Sequence, residues 1–415
     1  MYERIWIIGI VLMMSIGPMS TDPVLNDLAF GDETTLGEKN SLKSFRVATL
    51  NASLYGKAAG QIRQRLSDPQ DRQAQRIASI VQTIRPDVLL INELDYEPDS
   101  APARLLAENY FAVSQSAPQS ATDPASVVDL PPIEYPYWFS APSNTGIDSK
   151  FDLNHDGQTG SASDTWGYGV YPGQYAMTVF SRFPIQTDQI RTFQQLRWSK
   201  MPGALRPTHP TTSVPYYDDA TWSVLRLSSK NHVDVPIQIG ARTLHLLASH
   251  PTPPVFDGPE DRNGARNHDE VEFWNHYLDG DAAEQDWLVD DDGTPGGLNL
   301  DADFVIAGDL NADPIDGSGL QQAIRKLLVH HRVRDVQPMC PAAAALGRTL
   351  RHHGRGELRS KTADFGRNGL MRVDFVIPSR GINVVDSGVF WPAEQDPTSD
   401  WIKATDHRIV WIEVQ

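Results

Sequence analysis

The sequence predicts an α/β domain, and three observations lead there. Residues 45–93 read as strand, helix, strand, the rhythm of a βαβ-like unit. Strand after strand along the rest of the chain closes on a residue that can bind a hard cation or handle a proton. No internal repeat, low-complexity tract or second stretch with a core of its own interrupts that pattern.

In chain order, Phe45–Asn51 alternates apolar and polar residues and predicts a half-buried strand. Ser53–Gln70 reads as a loop. Asp68-Pro69 supplies an N-cap followed by proline at the first helical position, and Ala74, Ile77, Ala78, Val81 and Ile84 then mark a buried helix face stopped by Arg85-Pro86. Asp87–Glu93 is the second strand. Residues 111–175, rich in Pro, Ser, Asp and aromatics, predict an irregular insertion. Ala176–Ser181 resumes as a strand, whereas 191–235 mixes Trp, Arg and Pro and gives no assignment. Arg242–His250 is a strand closed by Pro251. Asn267 with Glu270 resembles a capping box, starting a helix whose apolar face is Val271, Trp274 and Leu278. Asp281–Asp303 is an acidic loop, with Asp290, Asp291 and Asp292 as a solvated run. Phe304–Ala307 is a buried strand ended by Gly308, and Leu320–Leu328 is a short helix. Arg348–Gly369 is a basic loop, Arg372–Pro378 a strand, Val389-Phe390 the start of a loop, and Arg408–Val414 the last strand.

Composition narrows the function. A net charge of −17 repels polyanions at long range, which excludes a dedicated DNA-packaging or sequence-reading protein but leaves a nuclease whose metal neutralises phosphate locally. The single cysteine, Cys340, forbids an intramolecular disulfide and reads as a plain buried or half-buried thiol. At the N-terminus a short polar start precedes the apolar run Ile5–Ile16, shorter than the ~20 residues a spanning helix needs. Residues 1–20 are therefore expected to be a signal peptide, 21–43 a linker and 44–415 the domain, giving a secreted or periplasmic protein. Glu3 offsets Arg4 and no A-x-A-like site follows, so an uncleaved anchor or a misplaced start codon are the alternatives.

The chemistry concentrates at strand ends: Asn51, Glu93, His250, Asp309 with Asn311, and Asp406 with His407, while Asp374 sits inside a further strand. In Gly308-Asp309-Leu310-Asn311, residues two apart point the same way and present a carboxylate and an amide together. Gathered in one crevice, such groups would repel or go unpaired without a ligand, and a divalent cation organises them. Carboxylate and amide oxygens suit Mg²⁺ or Ca²⁺ rather than zinc, and no Cys/His cluster is present. Each residue alone also fits a turn, a cap or a hydrogen-bonded loop histidine; the ordered set does not.

Those segments resemble the endonuclease/exonuclease/phosphatase superfamily, which includes pancreatic deoxyribonuclease, the abasic-site endonucleases, bacterial sphingomyelinases and inositol-polyphosphate phosphatases. The matching pieces are Val47–Asn51, Pro86–Glu93, Ser249-His250, Gly308–Ala312, Arg372–Val376 and Thr405-Asp406-His407, in the family's order. Thr405 replaces the usual serine and keeps the hydroxyl. The resemblance implies a four-layer sandwich of two packed mixed β-sheets flanked by helices, and metal-dependent hydrolysis of a phosphate ester. By position it implies Glu93 as principal ligand of Mg²⁺ (or Mn²⁺), with Asn51 beside it and Asp406 as ligand or outer anchor. Asp309 would orient or deprotonate the attacking water, Asn311 and His250 hold phosphoryl oxygens, His407 transfer a proton and Asp374 orient a histidine. The family's phosphate-contacting tyrosine and arginine have no motif here; Tyr175, Arg182, Arg262 and Arg266 are the candidates.

A separate signal is Asp152-Leu153-Asn154-His155-Asp156-Gly157, which resembles the first half of an EF-hand loop, although position twelve is Ser163. It predicts either a Ca²⁺ loop ordering the insertion, whose Trp166, Tyr168 and Tyr171 would wall the site, or a plain Asx-rich turn. Three readings of function result. One is an exported phosphodiesterase acting on nucleic acid, and the second a phosphomonoesterase or phospholipase-C-like enzyme on small or lipid phosphates. The third is a non-catalytic binding protein. None implies an obligate protein partner.

Overall fold

The computed structural model describes residues 44–121, 123, 126–280, 286–340, 342 and 354–415, so the expected signal peptide and linker lie outside the described residues. The strands are β1 (Phe45–Leu54), β2 (Val88–Leu94), β3 (Gln115–Pro118), β4 (Val127–Leu130), β5 (Tyr137–Ala141), β6 (Met177–Ser181), β7 (Arg191–Thr192), β8 (His232–Ile239), β9 (Arg242–Ser249), β10 (Asp303–Asp309), β11 (Ala363–Asp364), β12 (Leu370–Met371), β13 (Asp374–Pro378), β14 (Val384–Val389) and β15 (Val410–Val414). The α-helices are α1 (Gln61–Ser67), α2 (Arg72–Ile84), α3 (Ala101–Leu106), α4 (Asp219–Val224), α5 (Arg262–Asp279) and α6 (Gln322–Leu328).

Two mixed sheets form the body, in the orders β14-β15-β1-β2-β6-β5 and β13-β10-β9-β8-β7. Each contains one parallel pair, β1 with β2 and β9 with β10. A helix makes each crossover, α2 in the first sheet and α5 in the second, as a parallel connection requires. Side-chain alternation then sorts the layers. Val47, Val88, Leu90, Leu246, Val305 and Val376 meet between the sheets. Ala48, Leu50, Leu89 and Ile91 face α1, α2 and α3, and Leu247, Phe304, Ile306 and Phe375 face α5 and α6. This is the expected four-layer sandwich. Among the described residues no helix is long and apolar enough to cross a membrane.

Several local expectations are corrected. The 53–70 loop contains α1, and α2 is capped by Asp71, whose side chain accepts from Ala74 N at 3.0 Å, rather than by Asp68. The 111–175 insertion contains a two-stranded ribbon, β3 with β4, and β5, which pairs along β6 as the edge of the first sheet. The unassigned 191–235 stretch begins β8, whose Pro236 lies past the short run of β7 pairing and accepts at its carbonyl from Gln186 N at 2.9 Å. β14 occupies the other edge of the first sheet, inside the segment preceding the loop at Val389-Phe390. α5 starts five residues before Asn267, so Asn267 and Glu270 lie inside the helix and are buried.

Candidate active site

The two parallel pairs run in register to the same end of the sandwich, and their ends carry the site. Asn51 lies opposite Asn92 where β1 meets β2, and the β1 ladder turns irregular beyond Asn51. Asp309 closes β10 opposite Asp374, the first residue of β13. Gly308, at φ +149°, permits this junction, because a Cβ there would come within 2.1 Å of Ser249 O. Asn92 Oδ1 accepts from Thr49 Oγ1 at 3.3 Å and from Asp309 N at 3.2 Å, tying the sheets together at the site.

Asp309, 1% exposed, is the centre. Its Oδ2 accepts from Asn51 Nδ2 at 3.1 Å and lies 3.5 Å from His250 Nε2 and 3.6 Å from His407 Nε2. Its Oδ1 accepts from Asn311 N at 2.9 Å, which fixes Asn311 at φ +50°. Burial pushes the Asp309 carboxyl up, but His407 and the His250 hydrogen bond outweigh it and hold the group well below the usual carboxylate range. On its other side His407 Nδ1 meets Asp374 Oδ2 at 2.9 Å and Oδ1 at 3.1 Å. Burial lowers the His407 imidazole, but Asp374 and then Asp309 raise it above its ordinary value, keeping an imidazolium at neutral pH. Ligand atoms of Asp309, Asp374 and His407 lie within 4.8 Å of one another. Both Asp374 oxygens are spent on the imidazole, so this trio is better suited to an acid–base relay than to a metal cage.

The oxygens suited to a cation lie alongside. Glu93, half-buried and at φ +59°, has its Oε1 3.9 Å from His250 Nε2, and its carboxylate accepts no hydrogen bond among the described residues. Asp406 is exposed, with Oδ1 3.8 Å from His407 Nε2. Asn51 Oδ1 accepts from Ser53 N at 3.2 Å and keeps a free lone pair. A carboxylate that accepts no hydrogen bond has the chemistry of a hard-cation ligand, and an amide oxygen with a lone pair to spare has it too. His250 is pushed below its ordinary value by burial and by Lys230, so it is neutral; its Nδ1 is buried without a partner among the described residues. Asn311 Nδ2 donates to Pro251 O at 3.1 Å, holding the His250 loop against the Asp309 loop.

The structure thus brings together Asn51, Glu93, His250, Asp309, Asn311, Asp374, Asp406 and His407. Tyr175 joins them: its ring meets Tyr55 edge-on at 4.5 Å, and its phenol is pushed up to about 12 by burial, Tyr55 and Glu93. Arg182 does not. β6 runs antiparallel to β2, so Arg182 emerges at the Val88 end, where it donates to Asp87 Oδ1 at 2.6 Å. Arg266 is consumed by carbonyls, donating to Leu227 O at 2.9 Å and to Trp166, Arg226 and Ser228. Arg262 pairs with Glu260 and lies over the Tyr216 ring. In the Asp152 loop, Asp152 accepts from Asp156 N and Gly157 N, Asn154 from Asp156 N and Asp156 from Gln158 N, so the turn alone accounts for these oxygens. Asp164 turns back onto Leu153 N at 2.9 Å. Of the aromatics expected to wall the site, Tyr171 reaches it through Gly56 and Asp95, whereas Trp166 packs beside Phe151 in the core under the second sheet.

Sequence reasoning missed Lys230. It is buried just before β8, 3.4 Å from Pro251 O, and burial lowers its ammonium against the opposing pull of Glu270, Glu93 and Asp309. It also missed Asn267 and Glu270 as clamps. Asn267 Nδ2 donates to Thr252 O at 2.8 Å and Leu310 O at 3.0 Å, and Glu270 accepts from Ser229 N and Thr252 N, each at 2.6 Å. From one helix they hold the loops that carry Lys230, His250 and Asp309. Their i, i+3 spacing was visible, but it was absorbed by a capping reading.

Comparison with known proteins identifies the family. The endonuclease/exonuclease/phosphatase family matches residues 48–407. Among solved structures the chain is similar to the endonuclease/exonuclease/phosphatase from Beutenbergia cavernae DSM 12333, at 17% identity over 90% of this chain and 71% of that one, with a TM-score of 0.46. It is similar to sphingomyelinase C from Streptomyces griseocarneus at 14% identity over 90% and 99% of the two chains, with a TM-score of 0.44. A third is TDP2 from C. elegans, at 13% identity over 90% and 75%, with a TM-score of 0.39. No curated protein matches the chain. Members of the matched family are mostly hydrolases of phosphoesters. With the family match spanning both sheets and every strand end of the site, the chain belongs to the endonuclease/exonuclease/phosphatase family.

Proposed function

We propose that this protein is a divalent-metal-dependent phosphoesterase that hydrolyses phosphodiester bonds, and that its N-terminal apolar run exports it. The observation that carries the catalytic reading is the junction at Asp309, a buried carboxylate gripped by Asn51, His250 and His407 beside the donor-free carboxylate of Glu93. Glu93, Asn51 and Asp406 would hold Mg²⁺ or Mn²⁺. Bound there, the cation supplies charge neutralisation for the phosphoryl oxygens and the departing oxyanion.

The chain's own groups do the rest. Asp309 stays ionised and orients the attacking water, since a carboxyl held so far down is a weak base but a firm acceptor. The Asn311 amide donates to a phosphoryl oxygen, neutral His250 spends its one N–H holding the Asp309 carboxylate, and the Lys230 ammonium balances charge building behind them. Asp374 fixes the His407 imidazole, whose proton passes to the leaving oxygen as the P–O bond breaks; the water forms the new P–O bond and gives up its proton to the neutral imidazole left behind, restoring the imidazolium. The products are a phosphomonoester and an alcohol.

A second reading, hydrolysis of a small or lipid phosphate at the same site, is favoured by the net charge of −17, which opposes a polyanionic duplex. Plasmid DNA, bis-p-nitrophenyl phosphate, p-nitrophenyl phosphate and sphingomyelin, each assayed with Mg²⁺, with Ca²⁺ and with chelator, separate the readings. Diester turnover that chelator abolishes supports the first. Turnover of the monoester or sphingomyelin alone supports the second, and activity that persists in chelator contradicts both.

A further inference from the structure

Asp95 is a buried carboxylate, 4% exposed, that no step above uses. No Lys, Arg or His pairs with it among the described residues; hydrogen bonds replace the missing cation. Its Oδ2 accepts from the Tyr171 hydroxyl at 2.6 Å and from Gly56 N at 2.9 Å, and its Oδ1 accepts from Tyr175 N at 3.3 Å. Gln174 Nε2 donates to Gly56 O at 2.9 Å, and Tyr96 N donates to Gly173 O at 2.8 Å. Gly173 sits at φ +88°, where a Cβ would lie 2.4 Å from Tyr96 O, so the segments are in close backbone contact. This knot joins three pieces of chain: the end of β1, the end of β2, and the approach to β6.

Two residues held by the knot have left-handed backbones without being glycine, Glu93 at φ +59° and Tyr175 at φ +58°. Such conformations persist only where the surroundings over-determine them. Glu93 is pinned on one side by Asn92, bonded to Thr49 and Asp309, and on the other by Asp95. Tyr175 is pinned directly by Asp95, and its ring packs against Tyr55, the residue before Gly56.

We propose that Asp95 and Tyr171 form a buried latch that positions Glu93, and the Tyr55–Tyr175 pair beside it, for binding the divalent cation. The inference rests on the reading of Glu93 as a cation ligand. Asp95 and Tyr171 are positioning residues: they touch neither cation nor substrate, and they keep the Glu93 carboxylate turned into the site by denying its backbone the relaxed conformation.

The test is Mn²⁺ binding to chelator-treated full-length protein, followed by calorimetric titration and by the Mn²⁺ dependence of thermal melting. The variants are Tyr171→Phe, which removes one hydroxyl and keeps the ring, Asp95→Asn and Glu93→Gln. The latch predicts Mn²⁺ affinity about 10- to 100-fold weaker in Tyr171→Phe and in Asp95→Asn, the range typical for loss of an outer hydrogen bond around a metal site. It further predicts near wild-type turnover for Tyr171→Phe once Mn²⁺ saturates. A lowered melting temperature with wild-type Mn²⁺ affinity in Tyr171→Phe would make the knot merely structural and overturn the proposal. Wild-type affinity in Glu93→Gln would remove the ligand the latch is said to position, overturning the reading of the site and the latch together.

Discussion

Replacing Asp374 with Asn probes the relay directly. The change is nearly isosteric and removes one charge from a pair that is buried on both sides, with His407 Nδ1 2.9 Å from the carboxylate. At an effective dielectric of about 20, that separation corresponds to a gross attraction of about 6 kcal/mol, against about 5 kcal/mol for Asp309 at 3.6 Å. Asp406, 3.8 Å away but exposed, is screened by solvent and adds little. Asp374→Asn therefore withdraws the larger of two buried attractions, and breaking such a pair costs about 3–5 kcal/mol of stability at pH 7. The pH sign follows from His407. Its folded value lies above the unfolded 6.5, so the imidazolium's contribution is lost as pH rises through the raised value, while on the acid side burial pushes the Asp374 carboxyl up to about 6 and the ion pair is lost as pH falls through it. In the variant the loss of the imidazolium begins at lower pH. Turnover of bis-p-nitrophenyl phosphate should fall about 10²- to 10⁴-fold, the range for a positioned proton donor. The basic limb of its pH profile should move down by about 1–3 pH units. A variant with wild-type turnover and an unmoved basic limb would refute the assignment of His407 as an Asp374-held acid.

Other perturbations separate the site from its scaffold. Lys230→Met should lower kcat/KM by about 10- to 100-fold, the weight of one or two charge-assisted hydrogen bonds, and a change within twofold would remove Lys230 from the site. Arg182→Ala should leave turnover within about twofold in steady-state assays, because its partner Asp87 lies at the far end of β2; a tenfold loss would contradict that placement. Lys361, 1% exposed, bridges Asp313 at 2.9 Å and Asp316 at 2.6 Å, so Lys361→Met removes the buried ammonium that both carboxylates share and leaves them with backbone N–H donors. It should cost about 3–5 kcal/mol in urea unfolding, and a loss under about 1 kcal/mol would mean the cluster is solvated.

Much of the architecture was legible because its central strands are apolar on a clear pattern. β2, β9, β10 and β13 face core on both sides, and their runs are long enough to stand out, whereas β1 also faces core on both sides although its alternation predicts a half-buried strand, because its Thr49 and Asn51 are buried at the site. The edges were not legible. β5 and β14 are partly exposed and polar, and β8 carries Pro236 with buried His232 and Asp234 among its valines. α5 begins with Arg262, Asn263 and Gly264, which offer no apolar signal, so its start was read at Asn267. At the site, residues at strand C-terminal ends were found because their chemistry interrupts an apolar run. Arg182 was misplaced because sequence shows that a residue follows a strand but not which end of the sheet that is; the antiparallel pairing of β6 decides it. Lys230 went unseen with the strand it precedes. Asp95 and Glu270 act through backbone N–H groups of distant loops, which no local spacing encodes.

The central claim is that one Asp309-centred site performs metal-dependent phosphoester hydrolysis. Steady-state turnover of bis-p-nitrophenyl phosphate by wild type and Asp309→Asn, at saturating Mg²⁺ or Mn²⁺ and again after chelation, tests it most directly. The account predicts wild-type activity that chelator abolishes and added metal restores, and a loss of about 10³-fold or more in Asp309→Asn, whose neutral amide can neither balance the His407 imidazolium nor hold the water. Asp309→Asn turnover within tenfold of wild type, or wild-type activity indifferent to chelator, would contradict it.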